Sequence, residues 1–297
     1  PVCKNSEVYN PFSYKKRESH SILNIGGSNV PVVFSDLSNK DKITPANLFS
    51  FGYNYSVKLD KWHIMDQAAD YLYIGEKTIS FEIPGTLAAV CDYSNWKENY
   101  SEKDRFYPIV DVGNLSELDF NQVFFLTIKA EEPVSPSISN YPNAVLIIET
   151  DFDNKTQLFR SLYMRMHEVL ITNPVVLKVS SEEEDAEAFQ LYSSIDSGSM
   201  LIDGFGDGVW LQSKQSNVLI NSTSFGILQA TRTRISKTEY ISCPSCGRTL
   251  FDLQETTAKI RARTDHLKGL KIGIMGCIVN GPGEMADADF GYVGSGP

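Results

Sequence analysis

The sequence predicts an α/β fold, in which strands alternate with helices around a mostly parallel sheet. Short, apolar, β-branched runs recur through the first 230 residues, at Val30–Phe34, Tyr107–Val112, Val123–Ile128, Ala144–Ile148, Val175–Val179 and Met200–Ile202. Segments of helical period separate several of them, most clearly Thr156–Leu170 and Glu182–Ser194. Alternation at this spacing is typical of successive βα units, so we expect a parallel sheet that forms at least an incomplete barrel.

Local signals mark the ends of these elements. The run Ser180-Ser181-Glu182-Glu183-Glu184 combines hydroxyl side chains with acids, which is typical of a helix start. The Asn173-Pro174 step is expected to end the preceding helix before its strand. Ser222–Thr231 reads as a further helix, and Arg232–Glu239 as a basic linker into a second domain.

A glycine-rich segment, Asp203–Gly208, follows the apolar run Met200–Ile202. Three glycines within five residues allow tight turning and close approach to a ligand, so a phosphate loop is one interpretation. The segment matches neither a Walker sequence nor the complete dinucleotide fingerprint. A tight turn at one end of a barrel is therefore the favoured interpretation.

Composition is typical of a soluble globular protein, with 42% hydrophobic and 22% charged residues. No apolar run approaches the roughly 20 residues that a membrane span needs, and no signal peptide opens the sequence. The sequence starts at Pro1 without a methionine and stops at Pro297 just after a strand-like run, so we expect an excised fragment. The net charge of −10 argues against general nucleic-acid binding.

The charge is unevenly distributed. Residues 231–271 hold nine basic residues against four acidic ones, whereas the first 230 residues are strongly acidic. A basic segment beside cysteines suits an anionic substrate or an acidic protein partner, although solvated helix faces would give the same pattern.

The second predicted domain runs from Tyr240 to the end of the chain and is again α/β. Its expected elements are a short strand at Tyr240–Ser242, a helix at Asp252–Arg263 and a strand at Lys271–Met275. A glycine-rich loop, Asn280–Glu284, leads to a last strand near Phe290–Val293.

The chain has five cysteines, an odd number, and no export signal. Structural disulfides are therefore not expected, and a reducing cytoplasm is the natural location. Cys3 and Cys91 are isolated in sequence and are interpreted as ordinary thiols, Cys91 because it follows the apolar run Leu87–Val90.

The other three cysteines form a candidate metal site. Cys243 and Cys246 make a C-x-x-C after one strand, and Cys277 follows, after 30 intervening residues, at the end of the next. Functional groups gather at the carboxyl ends of strands in α/β proteins, and three thiolates can hold three irons of a cubane cluster. A zinc site would need one more soft ligand, for which the nearest histidine is His266; a redox dithiol would leave Cys277 unexplained.

The loop after Cys277 contains a possible fourth ligand. Two glycines and a proline fix a tight turn, whose backbone N–H groups can point at cluster sulfides. Glu284 can fold back as an oxygen ligand that a substrate oxygen could replace. A loop carboxylate exposed to water is the alternative, and spacing alone leaves the two open.

Two stretches, Thr238–Leu253 and Ile274–Gly294, resemble the C-terminal domain of the 4-hydroxy-3-methylbut-2-en-1-yl diphosphate synthase family (IspG or GcpE). The resemblance is specific and covers about residues 238–297. A weaker one, at Leu201–Val209 and Thr223–Arg234, points to the junction before that domain in the longer, three-domain members. Together, the two resemblances imply a degenerate TIM-barrel-like inserted domain over residues 1–232 and a small, truncated α/β iron–sulfur domain over residues 233–297.

The resemblance also implies a reaction and its components. The family reductively opens 2-C-methyl-D-erythritol 2,4-cyclodiphosphate in non-mevalonate isoprenoid biosynthesis, taking electrons from ferredoxin or flavodoxin. Its [4Fe–4S] cluster is held by three cysteines and a glutamate, which correspond here to Cys243, Cys246, Cys277 and Glu284. By analogy Glu284 and Asn280 lie near the substrate.

One departure limits this expectation. Nothing in the sequence matches the amino-terminal part of the family's catalytic barrel, which supplies most of the diphosphate-binding residues. We therefore expect a fragment that is inactive alone. The competing hypothesis is a non-catalytic scaffold or interaction module with a zinc-bound or empty cysteine site.

Overall fold

The computed structural model describes residues 13–112, 115 and 122–294. The chain divides into two compact units, Pro1–Arg234 and Ile235–Pro297. Cys3 lies outside the described residues, so its interpretation as an ordinary thiol remains a prediction.

The first unit is a closed barrel of eight parallel strands, which confirms the predicted α/β barrel-like class and shows that the sheet closes. An antiparallel hairpin is inserted after the first strand. In chain order the strands are β1 Val32–Asp36, the hairpin strands β2 Tyr53–Ser56 and β3 Lys61–Ile64, β4 Tyr71–Gly75, β5 Ala88–Asp92, β6 Phe106–Asp111, β7 Phe124–Lys129, β8 Ala144–Glu149, β9 Val175–Ser181 and β10 Gly208–Ser213. Around the barrel the order is β1-β10-β9-β8-β7-β6-β5-β4, and β4 pairs with β1 to close it.

Helices are associated with this unit at irregular intervals. They are α1 Tyr93–Asn99, α2 Lys155–Glu168, α3 Ala186–Ser193, α4 Ser199–Ile202 and α5 Asn217–Ala230, with 3-10 turns at Pro45–Phe51 and Pro136–Asn140 and a π-helical turn at Ser194–Gly198. In the part of the chain that the structure describes, no helix is long and apolar enough to cross a membrane.

In the α3–α4 region the structure differs from the predictions in the start of one helix and in the type of one element. The helix expected over Glu182–Ser194 begins at Ala186, because Asp185 caps it by accepting the Ala188 N–H at 2.8 Å, while Ser180 and Ser181 belong to β9. The run Met200–Ile202 is helical and not a strand. Three apolar residues do not distinguish the two states, and here the preceding helical turn continues through them.

The glycine-rich segment Asp203–Gly208 is the turn that leads from α4 into β10, as favoured over a phosphate loop. Gly204 has a φ of +83°, and a β-carbon there would collide with the backbone of Lys15. The buried carboxylate of Asp207 accepts the Val175 N–H at 3.0 Å and lies 3.2 Å from Lys16 Nζ. A negatively charged carboxylate in this segment disfavours phosphate binding, and its hydrogen bond to the start of β9 gives it a structural role at the amino end of the barrel.

The barrel interior is packed with aromatic rings. Phe34 stacks on Tyr71 at 4.7 Å and on Trp210 at 5.5 Å, and it meets the edge of Phe125 at 5.5 Å. At the amino end, Ile22 and Ile25 exchange backbone hydrogen bonds and pack into the same cluster. The interior is therefore a filled core and is covered at its amino end by this short segment.

The second unit is a small α/β domain. Its three parallel strands, β11 Glu239–Ser242, β12 Lys271–Met275 and β13 Phe290–Val293, lie in chain order. Helix α6, Leu253–Thr264, connects the first two, and Asp252 caps it by accepting the Glu255 N–H at 2.8 Å. The predicted loop Asn280–Glu284 contains one helical turn, α7 Gly281–Glu284, because the Asn280 and Gly281 carbonyls accept hydrogen bonds from Glu284 and Met285.

Candidate metal centre

Cys243 is the first residue after β11, and two contacts fix it against the neighbouring strand. Its N–H donates to the carbonyl of Ile274 at 3.3 Å, which extends the β11–β12 ladder by one residue. Its Sγ accepts a hydrogen bond from the Gly276 N–H at 3.2 Å. The first thiol of the C-x-x-C is therefore held at the carboxyl end of β12.

Cys277 lies two residues beyond the end of β12 and is half-buried. The pKa of its thiol is lowered, first by the backbone N–H of Asn280 and then by that of Val279; Arg248 and the Cys246 side chain lower it further. A thiol must lose its proton to become a metal ligand, so this environment favours the ligating form.

Cys246 is exposed and stands on a tight turn between β11 and α6. Ser245 has a φ of +70°, and the Cys246 carbonyl accepts the Thr249 N–H at 2.9 Å. This turn places the Cys246 side chain near enough to Cys277 to help lower the pKa of the Cys277 thiol. The C-x-x-C loop and the loop after β12 therefore meet through their thiols.

A missing side chain allows the two loops to approach. Gly276 is buried, and a β-carbon built on it would collide with the side chain of Thr249. From the sequence, Arg248 was counted only among the basic residues of 231–271, and neither Arg248 nor Thr249 was predicted to belong to the site. Their position directly after the C-x-x-C was the available signal.

The donor set fits a cluster better than a single preformed metal ion. Among the described residues, no three His, Cys, Asp or Glu side chains converge as the ligands of one ion. A tetrahedral zinc site requires such convergence. A cubane cluster binds each thiolate through a different iron, so it can take its ligands from two adjacent loops.

Asn280 and Glu284 lie in the same loop as Cys277, and both are exposed. The Asn280 carbonyl accepts the N–H groups of Gly283 and Glu284, at 3.1 and 3.0 Å. Within residues 13–112, 115 and 122–294, the Glu284 carboxylate forms neither a hydrogen bond nor an ion pair. The structure thus brings the three thiols onto adjoining loops and leaves Glu284 unengaged at the end of α7.

Cys91 does not belong to this site. It lies fully buried on β5, and burial, reinforced by Asp92 and Glu76, raises the pKa of its thiol to about 12. A protonated buried thiol is a poor nucleophile and a poor ligand, as expected of an ordinary core cysteine.

Comparison with known proteins connects the second unit to one family of domains. Residues 239–297 match the model of the GcpE protein C-terminal domain. The chain is 38% identical, over 97% of its length, to a protein of Bacteroides thetaiotaomicron named 4-hydroxy-3-methylbut-2-en-1-yl diphosphate synthase (flavodoxin). Proteins of the same name from Parabacteroides distasonis and Leptospira interrogans are 40% and 37% identical, over 97% and 98% of the chain.

These matches cover part of each relative. The aligned region is 44% of the Bacteroides thetaiotaomicron protein, 44% of the Parabacteroides distasonis protein and 48% of the Leptospira interrogans protein. The chain therefore spans less than half the length of these relatives, while both of its units fall within the aligned region.

Proposed function

The chain belongs to the 4-hydroxy-3-methylbut-2-en-1-yl diphosphate synthase (GcpE) family, and from this premise we propose that its second unit holds a [4Fe–4S] cluster. The observation that carries the proposal is the meeting of two cysteine loops at the ends of β11 and β12. Cys243, Cys246 and Cys277 would each hold one iron, and Glu284 the fourth.

The surrounding residues prepare the site for ligation. The N–H groups of Asn280 and Val279 stabilise the Cys277 thiolate, and the positive charge of Arg248 adds to this effect. The N–H of Gly276 is directed at the Cys243 sulfur, a contact of the kind that tunes cluster potentials. Glu284 is exposed and unengaged, so it is free to bind or to yield its position to an oxygen of a substrate.

The reaction proposed for the complete enzyme is the reductive opening of a cyclic diphosphate. When bound, a cluster would supply two electrons, one at a time. With protons, these two electrons cleave the ring C–O bond of 2-C-methyl-D-erythritol 2,4-cyclodiphosphate and release one hydroxyl as water, which gives 4-hydroxy-3-methylbut-2-enyl diphosphate. Nine bases in residues 231–271, Arg248 among them, provide a positive field for a diphosphate or an acidic donor protein. The names of the relatives specify flavodoxin, which makes flavodoxin the favoured donor over ferredoxin.

We assign the first unit to the inserted domain of the three-domain enzymes, over about residues 1–232. Its barrel is then a scaffold that sets the distance between the catalytic barrel and the cluster domain. The catalytic barrel would lie in the part of the relatives that this chain does not cover. On this assignment the chain alone does not turn over substrate, and the odd number of cysteines favours a reducing compartment such as the cytoplasm.

Anaerobic reconstitution with iron and sulfide tests the proposal. We expect about four irons and four sulfides per chain, a brown colour and charge-transfer absorption. A protein that stays colourless, with no iron or sulfide bound, would contradict cluster binding.

The second candidate function is the non-catalytic scaffold with a zinc-bound or empty site. The scaffold part is favoured by a filled barrel interior, but a zinc site is not favoured by the thiol arrangement. Metal analysis separates the two candidates, because one equivalent of zinc without sulfide would support the second and four irons with sulfide the first.

A further inference from the structure

The helical turn that carries Glu284 lies against one face of the sheet in the second unit. Gly281, the first residue of α7, packs on the last residues of β12 and β13. A β-carbon built on Gly281 would lie 2.9 Å from Met275 Cβ and 3.3 Å from Val293 Cγ1. Met275 and Val293 are paired in register, so the start of α7 lies over the end of this strand pair.

Met285 fixes the other end of the turn over two glycines. Gly273 and Gly291 face each other in register on β12 and β13, two residues before Met275 and Val293. A β-carbon on Gly273 would lie 2.6 Å from Met285 Cβ, and one on Gly291 would lie 2.4 Å from Met285 Sδ. The methionine side chain therefore occupies the space that two side chains would otherwise fill, and it reaches from β12 to β13.

The spacing of these two contacts matches both kinds of backbone. Positions 281 and 285 are one helical turn apart, which is about 6 Å along the axis of the turn. Positions 273 and 275 are two residues apart on a strand, about 6.6 Å, and their side chains share one face of the sheet. The turn therefore runs along the strand pair with a contact at each end, and this arrangement prevents it from sliding or rotating.

This anchoring fixes the backbone of Glu284 and leaves its side chain free. The N–H of Gly281 donates to the Cys277 carbonyl at 3.2 Å, and the N–H of Glu284 donates to the Asn280 carbonyl at 3.0 Å. At about 100° per helical residue, position 284 lies to one side of the sheet-facing positions 281 and 285. Within the described part of the chain its carboxylate is exposed and forms no hydrogen bond, so its direction depends on the turn.

From these contacts we propose that Met285 is a positioning residue, which directs Glu284 to the fourth iron of the cluster by holding α7 on the strand pair. The inference rests on the function proposed above, because that function assigns the fourth iron to Glu284. An exchangeable oxygen ligand binds weakly, so its occupancy depends on how narrowly the protein restricts its position. A thioether suits this role, since it adapts closely to an irregular slot.

Substitution of Met285 is the first test, made on the whole chain after anaerobic reconstitution. Met285→Ala should keep its iron and sulfide, because the contacts that hold Cys243 and the C-x-x-C turn do not involve Met285. Cyanide binds a cluster iron that lacks a thiolate, and it competes there with the carboxylate. Electron paramagnetic resonance of the reduced cluster should show cyanide bound about tenfold more tightly in Met285→Ala than in the unchanged chain. Met285→Leu, which conserves the volume, should restore the weaker binding.

The paired glycines provide a matched second test. Gly273→Ala places its β-carbon against Met285 Cβ, which is attached to the backbone, so the turn has to move. Gly291→Ala meets Met285 Sδ and Cε, the flexible end of the side chain, which can move aside while the turn stays in place. Gly273→Ala should therefore tighten cyanide binding as Met285→Ala does, and Gly291→Ala should not.

A combined variant shows whether the effect passes through Glu284. Glu284→Gln should itself tighten cyanide binding, because it removes the competing carboxylate. Adding Met285→Ala to Glu284→Gln should then change the cyanide affinity by no more than about twofold, since there is no carboxylate left to position. A further tenfold change in the combined variant would show that Met285 acts independently of Glu284, and it would overturn the inference.

The remaining outcomes separate this inference from the proposed function. Unchanged cyanide affinity in cluster-bearing Met285→Ala and Gly273→Ala would overturn the inference and leave the proposed function intact. Loss of the fold, or of iron and sulfide, in both variants would overturn it as well, because Met285 would then support the whole unit. If circular dichroism shows that only one variant fails to fold, the other decides. An unchanged chain that binds no cluster would contradict the proposed function, and the inference with it.

Discussion

The N–H of Gly276 donates to the Sγ of Cys243 at 3.2 Å, and this contact joins the end of β12 to the loop that follows β11. The approach depends on the absence of a side chain at position 276. A β-carbon there would meet the Oγ1, Cγ2 and Cβ of Thr249 at distances that cannot be accommodated without movement. The two cysteine loops are therefore held together by a glycine that is itself next to Cys277.

Gly276→Ala should separate these loops and impair cluster assembly. Overpacking of this kind destabilises a folded protein by about 1–3 kcal/mol. Because the collision is with Thr249, the turn that carries Cys246 would have to move. We expect iron and sulfide content after anaerobic reconstitution to drop to a small fraction of that of the unchanged chain.

Gly283→Ala is the matched control, because Gly283 lies in α7, shortly after Cys277, and a β-carbon there meets nothing within 4 Å. It should retain the cluster. Combining Gly276→Ala with Thr249→Ala removes most of the collision and should restore part of the iron content. Equal cluster loss in Gly276→Ala and Gly283→Ala would show that loop composition, and not the contact with Thr249, is responsible.

The proposed ligands predict a graded response. Cys277→Ser should abolish cluster retention, since it removes the thiol whose ligating form is favoured by the Asn280 and Val279 amides. Glu284→Gln, made in the complete enzyme, should spare much of the cluster and cripple turnover, because an exchangeable oxygen ligand is proposed there. Iron content and electron paramagnetic resonance measure the first effect and product formation the second. The same loss of cluster in both variants would contradict the exchangeable role of Glu284.

Sequence patterns predicted the second unit more completely than the first. Lys271–Met275 and Phe290–Val293 were predicted with their observed bounds, and the predicted helix Asp252–Arg263 was shifted by one residue. These elements carry local signals, such as the Asp252 cap. The three cysteines were identified because their spacing is itself a local pattern.

The charged opening of the barrel was not predicted, for a physical reason. Asp92 and Glu149 are the last residues of β5 and β8, and Lys178 lies in the middle of β9; closure of the sheet brings these three single charges together around the opening of the barrel. Strands β4, β5 and β10 were missed as well. β5 has only one β-branched residue in five, and β10 begins at a glycine, so neither shows a long β-branched run. Non-local pairing determined these elements, and a single sequence does not record it.

Arg234, the last residue of the first unit, makes contacts that we expect to stabilise the barrel. Arg234 donates to both oxygens of Asp70, at 2.5 and 3.2 Å, and to the carbonyl of Pro31 at 3.2 Å. Its guanidinium also lies 5.1 Å from the ring centre of Phe225. Both charged side chains are largely buried, with exposed fractions of 19% and 16%. Arg234 thus anchors the end of the first unit to the residues just before β1 and β4 and to α5.

Arg234→Ala should destabilise the barrel by about 3 kcal/mol, because it leaves the buried Asp70 carboxylate without its cation. Urea unfolding followed by tryptophan fluorescence measures this selectively, since Trp62, Trp96 and Trp210 all lie in the first unit. Lys214→Ala breaks an exposed pair with Glu182 and should change stability by less than about 1 kcal/mol. A shift no larger in Arg234→Ala than in Lys214→Ala would show that the anchor does not support the barrel.

Glu149 predicts an acid-sensitive component of barrel stability. Burial alone would raise the pKa of its carboxyl, but hydrogen bonds and charge interactions with Lys178 and Lys129 outweigh burial and lower it. A carboxyl whose pKa is lower in the folded than in the unfolded state binds its proton more weakly when folded. Its stabilising contribution is therefore complete above the unfolded value of about 4.3, and it is lost as pH falls through the lower folded value.

Glu149→Gln should accordingly lower the urea midpoint at pH 7 and converge with the unchanged chain as pH falls below about 4. The amide cannot supply the charge that Lys178 and Lys129 share, so the two lysines repel each other across the opening of the barrel at neutral pH. Tryptophan fluorescence at a series of pH values gives the midpoints, and Glu102→Gln, an exposed residue, serves as the control that should follow the unchanged chain throughout. A difference between Glu149→Gln and the unchanged chain that stays constant down to pH 3 would show that the carboxyl acts through packing, and not through its charge.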